Sequence, residues 1–261
     1  MYNDEFELTF DLADAGPKKE QRRPTLPEPE EAAVAVPPVQ ETREMPVSAA
    51  PENTPASEPE REPEPAAEPQ STAPAAKDRT VLISGGDRGI GAAAARAFYA
   101  AGYRVAVFYH TNAEAAAALQ KELPGVLAIQ CDVASRASCE LAFRAAEQAL
   151  GRVDVLVSNA GIAQQKLFTD ITPEEWQRML DVNLTGAFNL CQLALPGMIR
   201  RKAGRILTVS SMWGQTGGSC EVHYSAAKAG LIGLTKALAK EEGPSGITVN
   251  CVAPGVLDLS L

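Results

Sequence analysis

The chain has 261 residues, of which 45% are apolar, and it carries 33 acidic against 24 basic side chains. The charge is divided unevenly, because residues 1–78 hold 18 acidic and 7 basic groups whereas residues 79–261 have a net charge of +2. That small charge gives no support for nucleic-acid binding, and no apolar run approaches the roughly 18 residues that a membrane-spanning helix needs.

Residues 1–78 form the first region, and their composition predicts disorder. They contain 14 of the 19 prolines and 1 of the 20 glycines, and their net charge is −11. Such an acidic, proline-rich tail cannot bury enough apolar surface to offset the entropy of ordering it. Within it, residues 6–12 alternate apolar and polar side chains, which is a strand pattern. That stretch is either a docking peptide that adds a strand to a partner's sheet or a frayed terminus.

The chain contains five cysteines, an odd number with no C-x-x-C spacing, and only two histidines. This composition argues against a disulfide framework, a zinc site and a histidine-rich metal site, and we expect no bound metal. The acidic start of the chain is the opposite of the basic start of a secretory signal peptide. We therefore expect a cytoplasmic protein without a membrane anchor.

Residues 79–261 alternate short β-branched runs with helical stretches, which is typical of a parallel sheet with helices on both faces. The predicted strands span residues 80–84, 104–109, 126–131, 153–157, 205–210 and 247–251. The predicted helices span residues 89–101, 112–122, 135–150, 173–202 and 223–242. Thr172, Pro173 and Glu175 predict a capping box at the start of the fourth helix. We therefore predict one α/β domain behind the tail.

A glycine-rich turn, SGGDRGIG over residues 84–91, joins the first predicted strand to the first helix. Glycines let the main chain turn tightly and approach a pyrophosphate, whose negative charge the helix N-terminus favours. A plain tight turn is the alternative. The position of the turn favours a dinucleotide site in a Rossmann-type doubly wound parallel sheet flanked by helices.

The expected cofactor is NADP(H), and the reason is charge. A cofactor without the 2′-phosphate is usually held by a carboxylate at the end of the second strand, but residues 108–112 (FYHTN) contain none. Arg88 and His110 would instead offer a cation and hydrogen-bond donors to a 2′-phosphate. The alternative for Arg88 is an ordinary solvated arginine.

A series of short motifs follows the glycine turn in a fixed order. With that turn they comprise Ser84, Gly85, Gly89, Ile90 and Gly91, then Cys131, Asp132 and Val133, then Asn159, Ala160 and Gly161, then Asn183, Ser211, Tyr224 and Lys228, and finally Pro254 and Gly255. Together they resemble the short-chain dehydrogenase/reductase family across residues 79–261. The resemblance implies that the chain is an enzyme that reduces a ketone to a secondary alcohol.

The resemblance also implies where the cofactor lies. Asp132 and Val133 would contact the adenine, and residues 159–161 would support the cofactor side of the sheet. Pro254 and Gly255 would flank the nicotinamide. The family also suggests a homo-oligomer when the chain is full length.

Four residues make up the expected catalytic set. Tyr224 and Lys228 are four residues apart on one helix and share a face, so the ammonium is expected to lower the pKa of the phenol toward neutrality. Ser211 would donate to the substrate carbonyl and stabilise developing alkoxide charge. Asn183, which interrupts the long fourth helix, resembles the family residue that holds a proton-relay water.

The expected substrate residues are Gln164, Trp213 and Glu221. Trp213 and Glu221 lie in the segment between two catalytic residues, and Gln164 follows the fourth strand. These segments resemble a bacterial subgroup, the elongation factor P 5-aminopentanone reductases, which are similar to 3-oxoacyl-acyl carrier protein reductases. Glu221 would pair with a substrate ammonium in the first case and would have no such role in the second. A solvated loop carboxylate or an inter-subunit contact is the alternative.

A basic helix end offers a surface for the protein that carries the substrate. Arg200, Arg201 and Lys202 would dock elongation factor P or acyl carrier protein, or would simply complement the helix C-terminus.

The chain ends at Leu261, six residues after Gly255. Family members continue with a substrate-covering loop, a further helix and a last strand, so we expect either a fragment or a true loss of that part. The intact catalytic set favours an NADP(H)-dependent ketone reductase. The missing C-terminal part favours a catalytically impaired cofactor-binding or scaffold protein tethered by its acidic tail.

Overall fold

The structure, a computed structural model, describes residues 78–255. The predicted disordered tail, apart from Asp78, and the strand pattern of residues 6–12 lie outside the described residues. The last residues of the chain, 256–261, also lie outside them.

Six parallel strands form one sheet in the order β3-β2-β1-β4-β5-β6. The strands are β1 (Thr80–Ser84), β2 (Arg104–Tyr109), β3 (Leu127–Gln130), β4 (Val155–Ser158), β5 (Gly204–Val209) and β6 (Ile247–Val252). Ile83 in the central strand pairs with Val107 on one side and Val157 on the other. The predicted doubly wound parallel sheet is therefore confirmed.

Seven α-helices connect and flank the strands within the described part of the chain. They are α1 (Gly89–Ala100), α2 (Ala113–Glu122), α3 (Arg136–Leu150), α4 (Pro173–Leu180), α5 (Gly186–Arg201), α6 (Trp213–Thr216) and α7 (Val222–Glu242). Among residues 78–255, no helix is both long and apolar enough to span a membrane.

The helix predicted over residues 173–202 is interrupted at Asn183, as expected, and is found as two α-helices. A single π-helical turn, Asp181–Thr185, separates α4 from α5. A π turn widens the helix locally and is often found at functional sites. The capping box at the start of α4 is confirmed, because Thr172 Oγ1 accepts from the Glu175 amide at 3.2 Å and Glu175 Oε2 accepts from the Thr172 amide at 2.9 Å.

The core lies on both faces of the sheet, because successive side chains along each strand point to opposite faces. Val81 and Ile83 are fully buried on the face covered by α1 and α2. Leu82 is fully buried on the other face, where it joins residues of α3 and α5 such as Phe143 and Leu190. Strands that are buried on both faces hold the carboxyl ends of β1, β4 and β5 in a fixed array.

Candidate active site

An open cleft of about 600 Å³ lies at the carboxyl ends of the strands. It includes the point between β1 and β4 where the strand order reverses, which is the usual place for a ligand in an open α/β sheet. Among the residues that line it are most of those expected from the sequence, namely Gly85, Arg88, Gly89, Ile90, His110, Asp132, Val133, Asn159, Ala160, Gly161, Asn183, Ser211, Tyr224, Lys228, Pro254 and Gly255. The fold thus brings the two halves of the expected site together.

The turn after β1 is tied to the turn after β4. Ser84 Oγ accepts from the amides of Asn159 and Ala160, both at 3.0 Å. In return, Asn159 Nδ2 donates to the carbonyl oxygens of Ser84 and Gly85 at 3.0 and 2.9 Å. Gly85 has a φ of +61°, which a side chain would strain, and a Cβ there would lie 3.0 Å from Ala160 Cα. These contacts join the two turns and leave no side chain at Gly85, which lines the cleft.

Two of the expected cofactor residues, Ser84 and Gly91, are buried beneath the cleft and do not line it. Ser84 is fully buried because its hydroxyl accepts the two amides of the β4 turn. A Cβ on Gly91 would collide with the carbonyl oxygen of Gly85. Both residues therefore shape the turn from beneath the cleft.

Arg88 and His110 lie at the end of the cleft formed by the β1 and β2 turns, and both side chains are exposed. Arg88 is the N-cap residue of α1, so its side chain stands beside the first free amides of that helix. Asp87 also lines the cleft, although the sequence argument considered only the end of β2. The region therefore offers the Arg88 guanidinium, the His110 ring and the Asp87 carboxylate, and the Asp132 carboxylate lies 3.8 Å from His110 Nε2.

Asp132 is held in place near His110, at the end of the cleft where the resemblance implies that the adenine would lie (called the adenine end below). Its amide donates to Ser138 Oγ at 3.0 Å, and its Oδ1 accepts from the Ala134 amide at 3.1 Å. Its Oδ2 lies 3.8 Å from His110 Nε2 and 3.6 Å from Arg178 Nη1. Arg178 belongs to α4 and lines the cleft. Sequence patterns do not predict this residue, because its contact with Asp132 depends on tertiary packing.

Asn183 lies in the π turn and is 1% exposed. Its Nδ2 donates to the carbonyl oxygens of Ile162 and Met179 at 3.0 and 3.1 Å, whereas its buried Oδ1 has no partner within the described residues. The point that a Cβ on Gly161 would occupy is 2.6 Å from this Oδ1 and 3.3 Å from Lys228 Nζ. A glycine here leaves room for a small polar molecule between the amide and the ammonium.

Ser211 and Tyr224 meet at the other end of the cleft. Ser211 Oγ accepts from the Trp213 amide at 3.2 Å. Burial raises the pKa of Tyr224, the nearby Ser211 side chain acts in the opposite direction, and the Glu221 carboxylate raises the pKa further. At neutral pH the phenol is therefore protonated.

Lys228 does not act on Tyr224 as the sequence suggested. Its Nζ donates to the carbonyl oxygen of Val209 at 2.9 Å and lies 5.6 Å from the centroid of the Tyr224 ring. Burial lowers the pKa of Lys228 to about 8. The prediction that this ammonium lowers the pKa of Tyr224 is therefore wrong for this structure, because burial of the phenol dominates.

The three expected substrate residues lie beside the cleft and do not line it. Gln164 is engaged elsewhere, since its Nε2 donates to Glu175 Oε1 at 2.9 Å and its Oε1 lies 3.0 Å from His223 Nε2. Trp213 packs on the main chain of Gly218, where a Cβ would be 3.0 Å from its ring. Glu221 accepts a hydrogen bond of 3.3 Å from Gln165 Nε2.

Of the basic helix end, Arg201 has a structural role. Its Nη2 donates to the carbonyl oxygen of Val153 at 2.7 Å and lies 4.0 Å from Asp154 Oδ1. Lys202 follows as the left-handed C-cap residue of α5, with a φ of +52°. The side chains of Arg200 and Lys202 are both exposed.

A profile of the family described as short chain dehydrogenase matches residues 79–260. The chain belongs to this family. Short chain dehydrogenases bind a nicotinamide cofactor. The cleft fits such a group, because its lining includes the glycine turn, Arg88 and Asp132. Within residues 78–255, no set of three or more His, Cys, Asp or Glu side chains is grouped closely enough to hold a metal ion.

Similar proteins include reductases of 3-oxoacyl groups. The chain is 47% identical over 179 residues to an acetoacetyl-CoA reductase of Rhizobium meliloti (strain 1021), covering 69% of this chain and 74% of the relative. It is 40% identical over 184 residues to a 3-oxoacyl-[acyl-carrier-protein] reductase of Synechocystis, again covering 69% and 74%. A solved structure from Sinorhizobium meliloti 1021, assigned as a short-chain alcohol dehydrogenase, matches with a TM-score of 0.66 at 35% identity, over 70% of this chain and 74% of that one.

Proposed function

We propose that this short chain dehydrogenase is an NADP(H)-dependent reductase of 3-oxoacyl thioesters. The observation that carries the proposal is that Ser211, Tyr224 and Lys228 line one dinucleotide-sized cleft, with Lys228 Nζ 5.6 Å from the centroid of the Tyr224 ring. The names of the relatives, acetoacetyl-CoA reductase and 3-oxoacyl-acyl carrier protein reductase, support the substrate class.

In the proposed reaction the cofactor, when bound, supplies a hydride to the carbonyl carbon. Ser211 donates a hydrogen bond to the carbonyl oxygen and stabilises the negative charge that develops there. Tyr224 then gives its proton to that oxygen. A raised phenol pKa suits this direction of reaction, because the residue is fully protonated before the step and an alkoxide is a far stronger base than a phenolate.

Asn183 and Lys228 help to return a proton to Tyr224 after the step. The free Oδ1 of Asn183 and the Lys228 ammonium flank the open space beside Gly161. A group held there would accept a hydrogen bond from the ammonium and donate one to the amide oxygen. Lys228, with a pKa of about 8, is mostly protonated at neutral pH and can take part as a donor.

The cofactor form rests on charge. Arg88 and His110 stand at the end of the cleft where a 2′-phosphate would lie, and β2 ends without a carboxylate. Asp87 is the one lining group in that turn that would oppose a phosphate. Because the Arg88 side chain is exposed and can approach a phosphate bidentately, we favour NADP(H).

A second candidate is a reductase of 5-aminopentanone-modified elongation factor P, and Glu221 is the observation that favours it. The Glu221 carboxylate contributes to the raised pKa of Tyr224, so its charge acts at the reacting end of the cleft. An ammonium group on the substrate would be attracted to this carboxylate, whereas a neutral acyl chain would not.

The test is a direct comparison of the two substrate classes. The chain is assayed for NADPH oxidation with acetoacetyl-CoA, with a 3-oxoacyl-acyl carrier protein and with elongation factor P that carries the aminoketone. Turnover of the thioesters with little activity on elongation factor P supports the first proposal, and the reverse supports the second. Cofactor binding without turnover of any ketone would contradict both and would favour the scaffold alternative.

A further inference from the structure

Two cysteines lie next to each other behind the adenine end of the cleft. Cys131 follows β3 directly, and Cys139 lies in the first turn of α3. Their sulfur atoms are 4.0 Å apart. Both side chains are buried, at 3% and 0% exposed. Neither thiol has a part in the proposed reduction, so their pairing needs a separate explanation.

The pair is connected to the cleft through Cys131. Cys131 is among the residues that line the cleft, whereas Cys139 lies behind it, with its Sγ 3.4 Å from the Val133 carbonyl oxygen. Asp132 and Val133, which stand between the two cysteines in sequence, also line the cleft. A small reagent in the empty cleft can therefore reach Cys131, and a bound adenine would cover it.

The two thiols differ in reactivity. The S–H group of Cys131 donates to Cys139 Sγ at 4.0 Å, and the S–H group of Cys139 donates to the carbonyl oxygen of Val133 at 3.4 Å. The contact with Cys131 raises the pKa of the Cys139 thiol, and burial raises it further. Cys191, which is similarly buried in α5, shows what burial does alone, since its pKa is raised to about 12. Because Cys131 lines the cleft and Cys139 lies behind it, Cys131 is the member of the pair that meets a reagent in the cleft first.

We propose that Cys131 and Cys139 form a reversible disulfide when hydrogen peroxide enters the cofactor-free cleft, and that this disulfide weakens cofactor binding. In the first step the Cys131 sulfur attacks one peroxide oxygen, the O–O bond breaks, and Cys131 becomes a sulfenic acid as water leaves. In the second step the Cys139 sulfur attacks Cys131, the S–S bond forms and a second water leaves. The thiols lose two electrons and two protons, and the peroxide gains them.

The expected loss of affinity follows from the geometry. A disulfide requires the sulfur atoms to approach from 4.0 Å to about 2 Å, which draws the end of β3 toward the start of α3. Asp132 and Ser138 lie between the cysteines and are joined by a hydrogen bond of 3.0 Å. A shift of this segment moves Asp132 and Val133, and binding sites tolerate displacements of only about 0.5 Å.

The test uses the whole chain and mass spectrometry. The reduced protein is treated with hydrogen peroxide, with and without NADP+, and is then digested with trypsin. Cleavage after Arg136 places the two cysteines on separate peptides, 122–136 and 137–144, so a disulfide appears as one linked species. NADP+ at ten times its Kd should slow the formation of this species about tenfold, because only about one molecule in eleven is then free.

Two variants sharpen the result. Cys139→Ser should leave Cys131 as a sulfenic acid that dimedone traps, with no linked peptide. Cys191→Ser removes a similarly buried thiol outside the cleft and should leave the linked peptide and its rate unchanged. A linked peptide that forms at the same rate with and without NADP+, or no such peptide at all, would overturn the proposal.

Binding supplies the second readout. NADPH fluorescence titration of the oxidised protein should show an affinity about tenfold weaker or worse, and dithiothreitol should restore it. An oxidised protein that carries the linked peptide and binds NADPH as tightly as the reduced protein would disprove the coupling to the cofactor. Neither readout depends on which ketone the enzyme reduces.

Discussion

Lys228 Nζ donates a hydrogen bond of 2.9 Å to the main-chain carbonyl oxygen of Val209, the last residue of β5. Ser210, the next residue, makes a second hydrogen bond to the same lysine, because its Oγ donates to the carbonyl oxygen of Lys228 at 2.8 Å. These two bonds join α7 to the end of β5. They therefore fix the distance between Tyr224 on the helix and Ser211 after the strand.

The first prediction concerns the stability of the cofactor-free protein. Burial lowers the pKa of Lys228 from 10.5 to about 8. Between these values the unfolded state binds more protons than the folded state, so the contribution of Lys228 to stability rises with pH. The full change is roughly 3 kcal/mol. Lys228→Met removes it, so the stability of the variant relative to wild type should fall as the pH rises through this window.

Urea unfolding of both proteins at about pH 7 and about pH 10 measures this difference. The lost hydrogen bond to Val209 lowers the stability of the variant by a similar amount at both values. A gap between the two proteins that does not change with pH would contradict the lowered pKa of Lys228.

The second prediction concerns Tyr224→Phe. Removing the phenol oxygen eliminates the proton donor but keeps the ring, so kcat should fall by about 100-fold to 10,000-fold while the Kd for NADPH stays the same. Tyr103→Phe is the matched control, because Tyr103 packs edge-on against Phe98 at 5.1 Å and does not line the cleft. Near-normal turnover in Tyr224→Phe would show that another group supplies the proton.

The third prediction concerns Arg88→Ala. If Arg88 meets the 2′-phosphate, the variant should bind NADPH less tightly by about 1.5 to 3 kcal/mol and should bind NADH almost unchanged. Arg96→Ala, on the same helix, is the control, because Arg96 pairs with Glu122 at 2.6 Å outside the cleft. Fluorescence titration with both cofactors gives the comparison. Equal losses for NADPH and NADH would assign Arg88 to a part of the cofactor that both share.

The fourth prediction concerns Glu221→Gln. The amide keeps the shape of the side chain and its contact with Gln165 but removes the charge. For 3-oxoacyl thioesters KM should stay within about twofold, whereas for an aminoketone substrate KM should rise about 10-fold to 150-fold. Steady-state kinetics on both substrates separate the cases. A large rise for the thioester would mean that Glu221 supports the pocket structurally.

Much of the fold could be predicted because its signals are local. The central strand β1 is a run of apolar residues that is buried on both faces, and its predicted bounds match those found. Thr172, Pro173 and Glu175 specify the start of α4 through contacts within one turn. The four residues of the expected catalytic set are identified by resemblance, and all four line the cleft.

The remaining features depend on tertiary packing, which sequence patterns do not report. Arg178 reaches Asp132 only because α4 lies across the cleft. An interruption of the fourth helix at Asn183 is predicted, but the apolar periodicity of residues 173–202 does not indicate that it is a π turn. The direction of the Tyr224 pKa shift depends on how deeply the phenol is buried, which cannot be derived from its spacing to Lys228.

The π turn of Asp181–Thr185 makes the site sensitive to chain length as well as to residue type. An α-helix rotates by about 100° per residue, so deletion of one residue from this turn would let α4 and α5 continue as a single regular helix. Met179 on α4 and Leu190 on α5 are both buried and would stay so, because a π turn absorbs one extra residue and leaves the faces of the flanking helices aligned. The widened turn that places Asn183 in the lining of the cleft would be lost. A deletion of one codon in this stretch would therefore be enough to disrupt the site, even though all four residues of the expected catalytic set would still be encoded.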